Sequence, residues 1–146
     1  MEKLISERFV ANGIIFILSG IVIFHFLIIA GIIPFEIVWG GRLKNQTEML
    51  QFESISIALN LIMLTLVAIK AGLLKINLKP NFLKVSFWLM AVLFALNTLG
   101  NLLAVNTVET LIFTPLTFLL AVFSFRLALS KDQQSDLPIN QDNDTH

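Results

Sequence analysis

Two stretches of sixteen uncharged residues, each preceded by a glutamate and followed by a base, constrain this chain most strongly. One lies between Glu53 and Lys70, the other between Glu109 and Arg126. About 20 helical residues cross a hydrocarbon core of about 30 Å. Sixteen residues cover about 24 Å, and long basic side chains extend to the interface to cover the rest. Both stretches therefore predict membrane-spanning helices.

Two further apolar runs, residues 9–35 and 85–108, complete a pattern of four spans. The first run is longer than the roughly 7–15 apolar residues of a cleavable signal peptide. The predicted fold is all-α: a polytopic membrane protein with a four-transmembrane-helix antiparallel bundle in one domain, residues 1–130. The predicted spans are about 9–33, 49–74, 82–105 and 108–130. Residues 131–146 contain four Asp and few apolar side chains, which predicts a disordered polar tail.

Composition supports a membrane environment and excludes several functions. The chain is 56% hydrophobic and 14% charged, whereas soluble domains carry roughly 25% charged residues. Its zero net charge provides no overall field to attract nucleic acid. The absence of cysteine excludes disulfides and thiolate catalysis. We predict no cofactor and no metal, because the sequence contains no phosphate-binding, zinc-binding or hydrolase motif.

The basic residues predict the orientation of the four spans. Eight of the ten lie in the N-terminal segment, the second connection and the C-terminal side. These eight are Lys3, Arg8, Lys70, Lys75, Lys79, Lys84, Arg126 and Lys131. The positive-inside rule then places both termini in the cytoplasm, with the plasma or inner membrane as the expected location. Glu53 and Glu109 fall near the outer starts of spans two and four, where the helix dipole favours an acid. We therefore expect both to be dipole and interface residues.

Each span carries a polar residue at a similar depth in the predicted outer half. His25, Asn60, Asn97 and Thr117 each lie roughly 10–13 Å below the outer end of their span, by helical rise. The inner half is almost entirely apolar. An ionisable residue within a span marks a site hypothesis by default, and histidine can lend such a site pH dependence. A ligand site is therefore expected in the outer half.

The first outer connection would cover the mouth of that site. It combines Glu36, Trp39 and Arg42 with two glycines. In span four, Pro115 cannot donate a hydrogen bond to the carbonyl of Leu111, which predicts a kink near the outer end. The candidate ligand-binding residues are His25, Glu36, Trp39, Arg42, Glu53, Asn60, Asn97, Asn101 and Thr114.

A structural interpretation accounts for the same residues. Small and amide side chains let membrane helices pack closely and hydrogen-bond to one another. A tryptophan in a connection can simply anchor it at the membrane interface. On this interpretation the polar residues of the outer half stabilise the bundle and bind nothing.

Three functions remain open from the sequence. The preferred hypothesis is an outward-facing pocket that binds a small molecule or ion, with transport of that ligand as an open extension. The second is an accessory subunit of a larger membrane complex. The third is an intramembrane enzyme that uses His25 and a glutamate on a lipid or isoprenoid. We assign no catalytic residue, because no acid–base pair has a convincing spacing. The expected partners are the lipid bilayer, a small-molecule or ion ligand, and a second copy or a larger complex.

Overall fold

The computed structural model describes residues 6–104, 107 and 109–130, and four of its helices are long and apolar enough to cross a membrane. Three of them are α1 (Glu7–Ile29), α2 (Gln46–Lys70) and α3 (Pro80–Leu102). The fourth span, Thr110–Ala128, contains α4 (Thr114–Ala128). A π-helical turn, Glu109–Phe113, leads into α4. The described residues contain no strand. The all-α class is thus confirmed for the described residues, and so are four helices long and apolar enough to span a membrane. The predicted tail, residues 131–146, lies outside the described residues.

Glycines end α1 and α2 earlier than hydropathy predicts. Gly31 has φ +72° and Gly72 has φ +75°, a left-handed conformation that glycine adopts without steric cost. Beyond each glycine the chain folds back, and the Ile32 amide donates to the Leu27 carbonyl at 3.0 Å. This is the usual glycine-based helix stop. The first helix therefore ends at Ile29, four residues before the predicted end at Ile33.

The start of α2 is set by a side-chain cap. The Asn45 side chain accepts a hydrogen bond from the Glu48 amide at 2.9 Å, and the Glu48 carboxylate accepts one from the Lys44 amide at 2.9 Å. These bonds satisfy amides that a helix N-terminus leaves without partners. The helix thus begins at Gln46, three residues before the predicted start at Met49. Glu53 consequently lies two turns inside α2.

The helices pack unevenly around the bundle. Contact is most extensive between α3 and α4, and α1 packs against both α2 and α4. By contrast, α2 and α3 touch at few points. Phe9 packs on Phe123 and Phe24 on Phe113, with ring centroids 6.2 and 5.0 Å apart. One side of the bundle, between α2 and α3, is therefore loosely closed.

Two apolar clusters form the core. The larger is built from all four helices and includes Val10, Leu18, Val67, Phe87 and Leu120, all of them buried. The smaller joins the α1–α2 connection to the helices at its two ends, through Ile28, Val38 and Met49. We call this part of the molecule the loop end.

Most of the remaining apolar surface faces outward. Phe16, for example, is 80% exposed. Such a surface suits contact with lipid, because lipid chains solvate it without cost.

Candidate ligand-binding site

Glu53 is a fully buried carboxylate at the loop end. Its side chain is 0% exposed. One oxygen, Oε2, lies 2.5 Å from Nδ1 of His25 in α1. The other, Oε1, accepts a hydrogen bond from the indole Nε1 of Trp39 at 2.8 Å. A single carboxylate thus ties together α1, α2 and the connection between them. We call these three residues the Glu53 cluster.

Hydrogen bonds within the Glu53 cluster offset the free-energy cost of burying a carboxylate. An isolated carboxylate in an apolar interior is very unfavourable unless it is paired and hydrogen-bonded. Here the indole N–H donates to one oxygen, and His25 Nδ1 lies within hydrogen-bond distance of the other. The remaining ring nitrogen of His25, Nε2, has no hydrogen-bond partner among the described residues. It is the polar atom of the cluster that remains for a ligand.

The backbone of the connection turns Trp39 towards Glu53. Trp39 has φ +58°, and Gly40 and Gly41 follow at +65° and +68°. Left-handed backbone is unfavourable for a bulky residue such as tryptophan. Beside it, Val38 is buried against the smaller apolar cluster. The packing of Val38 and the hydrogen bond to Glu53 therefore hold Trp39 in a conformation that the residue would otherwise avoid.

Replacing Trp39 by phenylalanine should loosen this connection. The change removes the N–H donor but keeps a ring beside Phe52, whose centroid lies 5.1 Å away. A hydrogen bond to a charged group contributes about 1.5–3 kcal/mol. Hydrogen–deuterium exchange at the amides of Val38, Gly41 and Arg42, which are hydrogen-bonded within the connection, should accelerate about tenfold or more.

The matched control is Trp88→Phe in α3. The Trp88 indole packs on Phe125 and donates no hydrogen bond within the described part of the chain. Exchange in the α1–α2 connection should be unchanged in this variant. Equal exchange in both variants would show that the Trp39 bond does not hold the connection.

Beside the Glu53 cluster lies a cavity of about 310 Å³. All four spans and the α1–α2 connection contribute to its walls, and aromatic rings lie among the polar groups. Its polar side chains are those of His25, Trp39, Arg42, Glu53, Ser56, Asn60, Asn97, Asn101 and Thr117. The volume falls at the small end of the range for small-molecule pockets, about 300–1,000 Å³.

The three asparagines of the cavity differ in their hydrogen bonds. Asn60 donates to the Ser56 carbonyl in its own helix at 2.7 Å. Asn101 donates to the Thr117 hydroxyl, 3.3 Å away in α4. Asn97 is exposed and makes no hydrogen bond with the described residues. Asn101 therefore holds two helices together, whereas the Asn97 amide remains for a ligand.

Two of the predicted ligand-binding residues, Glu36 and Thr114, do not line the cavity. Arg42 lines the cavity but forms no ion pair with an acid of the described residues. Glu36 is exposed on the α1–α2 connection. The Thr114 hydroxyl is buried without a partner among the described residues, outside the cavity wall. Arg42 lines the cavity and makes no ion pair with Glu36, Glu48 or Glu53.

Thr98 is a buried polar residue that sequence analysis missed. Its hydroxyl lies 3.0 Å from that of Thr117, joining α3 to α4. Thr98 and Asn101 are three residues apart and share a face of α3, and both contact Thr117. The spacing was visible in the sequence, but the choice between this face and that of Asn97 requires knowing where α4 lies.

An irregular turn brings α4 to the cavity. The π-helical turn Glu109–Phe113 lies immediately before Thr114 and Pro115, where the sequence predicts a kink. Proline has no N–H to continue the helical bonds, and π-helical turns occur frequently at functional sites. Through this turn Phe113 reaches the cavity wall.

The described residues contain no group of three His, Cys, Asp or Glu side chains that could hold a metal ion. Comparisons with protein-family models, curated proteins and solved structures find no match to this chain.

Proposed function

We propose that this protein binds a small ligand in the cavity at the loop end, with His25 as the principal polar contact. The observation that supports this most directly is the Glu53 cluster. Glu53 occupies Nδ1 of His25, which orients the ring and leaves Nε2 beside a cavity of about 310 Å³. Purely structural polar residues would be expected to satisfy one another, whereas His25 Nε2 and the Asn97 amide have no partners among the described residues.

We further propose an antiparallel bundle with the loop end outside the cell and both termini in the cytoplasm. The distribution of lysine and arginine supports this orientation, because the second connection carries Lys75 and Lys79 with no acid. The opposite packing directions of α1 and α4, from Phe9–Phe123 to Phe24–Phe113, support the antiparallel arrangement. The cavity would then be reached from the outer side of the membrane.

The apolar core favours binding over passage through a single copy. Below the cavity, buried side chains from all four helices fill the bundle, among them Leu18, Phe87 and Leu120. Protein interiors of this kind are close-packed, so an ion would meet no polar path there. Transport by this protein would require a large rearrangement or a second copy.

Cysteine accessibility tests the proposed pocket, because the native chain has no cysteine. We expect Asn60→Cys and Asn97→Cys to react with a membrane-impermeant maleimide applied to intact cells. Ser124→Cys is the control, because Ser124 is fully buried and does not line the cavity. It should not react.

Two outcomes would contradict the proposal. Absence of labelling at both cavity positions in folded protein would mean that the cavity is sealed from the outer solution. Labelling at Ser124→Cys as well would mean that the reagent enters a loosened bundle and that the cavity is not a distinct site.

A further inference from the structure

One wall of the cavity opens to the outside of the bundle. The wall contributed by α3 includes Leu96, Asn97 and Gly100, and all three residues are exposed. Leu96 is 62% exposed. A Cβ built on Gly100 meets no heavy atom within 4 Å. The same cavity is lined by Ser56 and Asn60 of α2, and α2 and α3 touch at few points, so the exposed wall lies beside the gap between these two helices.

This gap lies at the level of the lipid chains. Asn97 is five residues before the end of α3 at Leu102, about 8 Å along the helix. Leu93 and Leu99, which flank it in sequence, are exposed apolar residues. The Asn97 amide lines the cavity at this opening without a hydrogen bond to the described residues. A polar group that enters from the membrane would therefore gain a partner in Asn97.

The charge in the cavity indicates what that polar group is. Both oxygens of Glu53 are already occupied, by His25 and Trp39. Arg42 lines the same cavity and pairs with no acid of the described residues. A guanidinium group matches the geometry of a carboxylate or phosphate, with which it can form two parallel hydrogen bonds. The Arg42 guanidinium, which is exposed and forms no ion pair within the described residues, therefore offers a binding group for an anionic head.

We infer that the ligand is an amphiphile dissolved in the membrane, with a carboxylate or phosphate head and an apolar chain. The head lies in the cavity against the donor groups of Arg42 and Asn97. The chain leaves between α2 and α3 into the lipid. This inference rests on the proposed ligand-binding function and adds to it the chemical class of the ligand and its route of access.

Fluorescence of Trp39, which lines the cavity, can test this inference directly. The chain has two tryptophans, so Trp88→Phe leaves Trp39 as the sole reporter. The protein, reconstituted in phosphatidylcholine nanodiscs, is titrated with oleate, oleyl phosphate, oleyl alcohol and inorganic phosphate. We expect a saturable change with oleate or oleyl phosphate. Oleyl alcohol lacks the charge and inorganic phosphate lacks the chain, so both should bind much more weakly.

Substitutions at Gly100, in the opening, and at Arg42 test the route of access and the role of the charge separately. Gly100→Leu fills the opening and should weaken binding about tenfold or more, because the added side chain occupies the path of the ligand. Gly20→Leu is its control, because a Cβ at Gly20 also meets no heavy atom within 4 Å but Gly20 does not line the cavity. Arg42→Gln should also weaken binding of the anionic amphiphiles about tenfold or more.

Several results would overturn the inference. Inorganic phosphate that binds as tightly as oleyl phosphate would identify a water-soluble anion as the ligand, and oleyl alcohol that binds as tightly as oleate would exclude a role for the anionic head. Equal affinity of the Gly100→Leu and Gly20→Leu proteins would exclude access between α2 and α3. Disulfide cross-linking of Leu96→Cys between two chains would assign the gap to a second copy.

Failure of the inference and failure of the proposed function are separate outcomes. If Asn97→Cys reacts with the maleimide but no amphiphile changes Trp39 fluorescence, the pocket stands and only the ligand class is wrong. If Asn97→Cys and Asn60→Cys do not react, both proposals fail.

Discussion

Glu53→Ala is expected to lower the free energy of unfolding by about 3–5 kcal/mol, the usual cost of breaking a buried pair. The change removes the acceptor for Trp39 and the partner of His25 together. It also leaves a void where a fully buried side chain stood. Because the carboxylate joins α1, α2 and their connection, the loss should affect the whole loop end. Thermal unfolding in detergent, followed by circular dichroism, measures the effect.

Two matched variants separate burial from charge. Glu36→Ala removes an exposed glutamate from the same connection and should change stability by no more than about 0.5 kcal/mol. Glu53→Gln keeps an oxygen that can accept from Trp39 and adds an amide that can donate to His25 Nδ1, so its effect should be intermediate. If Glu53→Ala unfolds at the same temperature as Glu36→Ala, the cluster does not stabilise the fold.

Gly13→Leu is expected to destabilise the contact between α1 and α4 by about 3 kcal/mol or more, since inserting side-chain volume into a packed core is unfavourable. A Cβ built at Gly13 would lie 2.6 Å from Cε2 of Phe123. The ring of Phe123 is buried and packs edge-on against Phe9, so it has little room to move. Replacing a glycine inside a helix contributes about 1 kcal/mol of stability, and the steric overlap outweighs that gain. Thermal unfolding again measures the result.

Gly20→Leu is the control for this prediction too. Gly20 lies in α1 with open space around its Cα, so leucine there should leave stability unchanged or raise it by up to about 1 kcal/mol. Combining Gly13→Leu with Phe123→Ala should destabilise less than the sum of the two changes, because the smaller side chain makes room. Strictly additive effects would contradict a direct contact between these positions.

Hydropathy predicted four helices correctly, but it placed both boundaries of the first three too far towards the C-terminus. The observed helices α1, α2 and α3 begin two or three residues earlier and end three or four residues earlier than predicted. Hydropathy is averaged over many residues, so it does not detect a single residue that ends a helix. Gly31 and Gly72 end two of these helices through a left-handed backbone, and the apolar residues that follow them belong to connections.

The misplaced start of α2 explains why the role of Glu53 was wrongly predicted. With a start at Met49, Glu53 is the fifth residue of the helix and lies near its N-terminus, where an acid interacts favourably with the helix dipole. Asn45 and Glu48 in fact cap the helix, and Glu53 lies two turns inside it. The signal was present in the sequence, since Asn followed three residues later by Glu is typical of a capping box.

Seven of the nine candidate ligand-binding residues line one cavity, and Glu36 and Thr114 do not. Three of the seven, His25, Asn60 and Asn97, share a depth that helical rise alone could estimate. Whether a residue faces the cavity depends on the rotation of its helix, which the neighbouring helices set. Thr114 and Thr117 illustrate this, since only Thr117 lines the cavity although both lie in α4.

The sequence by itself determined the number of spans, their approximate positions and the depth of the polar residues. These properties follow from the length and polarity of each segment, which are local. Only the tertiary structure brought His25 and Trp39 to Glu53, because that requires a strained connection and a register between α1 and α2. It also decided that α2 and α3 leave a gap beside Asn97. Contacts between distant segments depend on packing in three dimensions, which single-sequence periodicity does not encode.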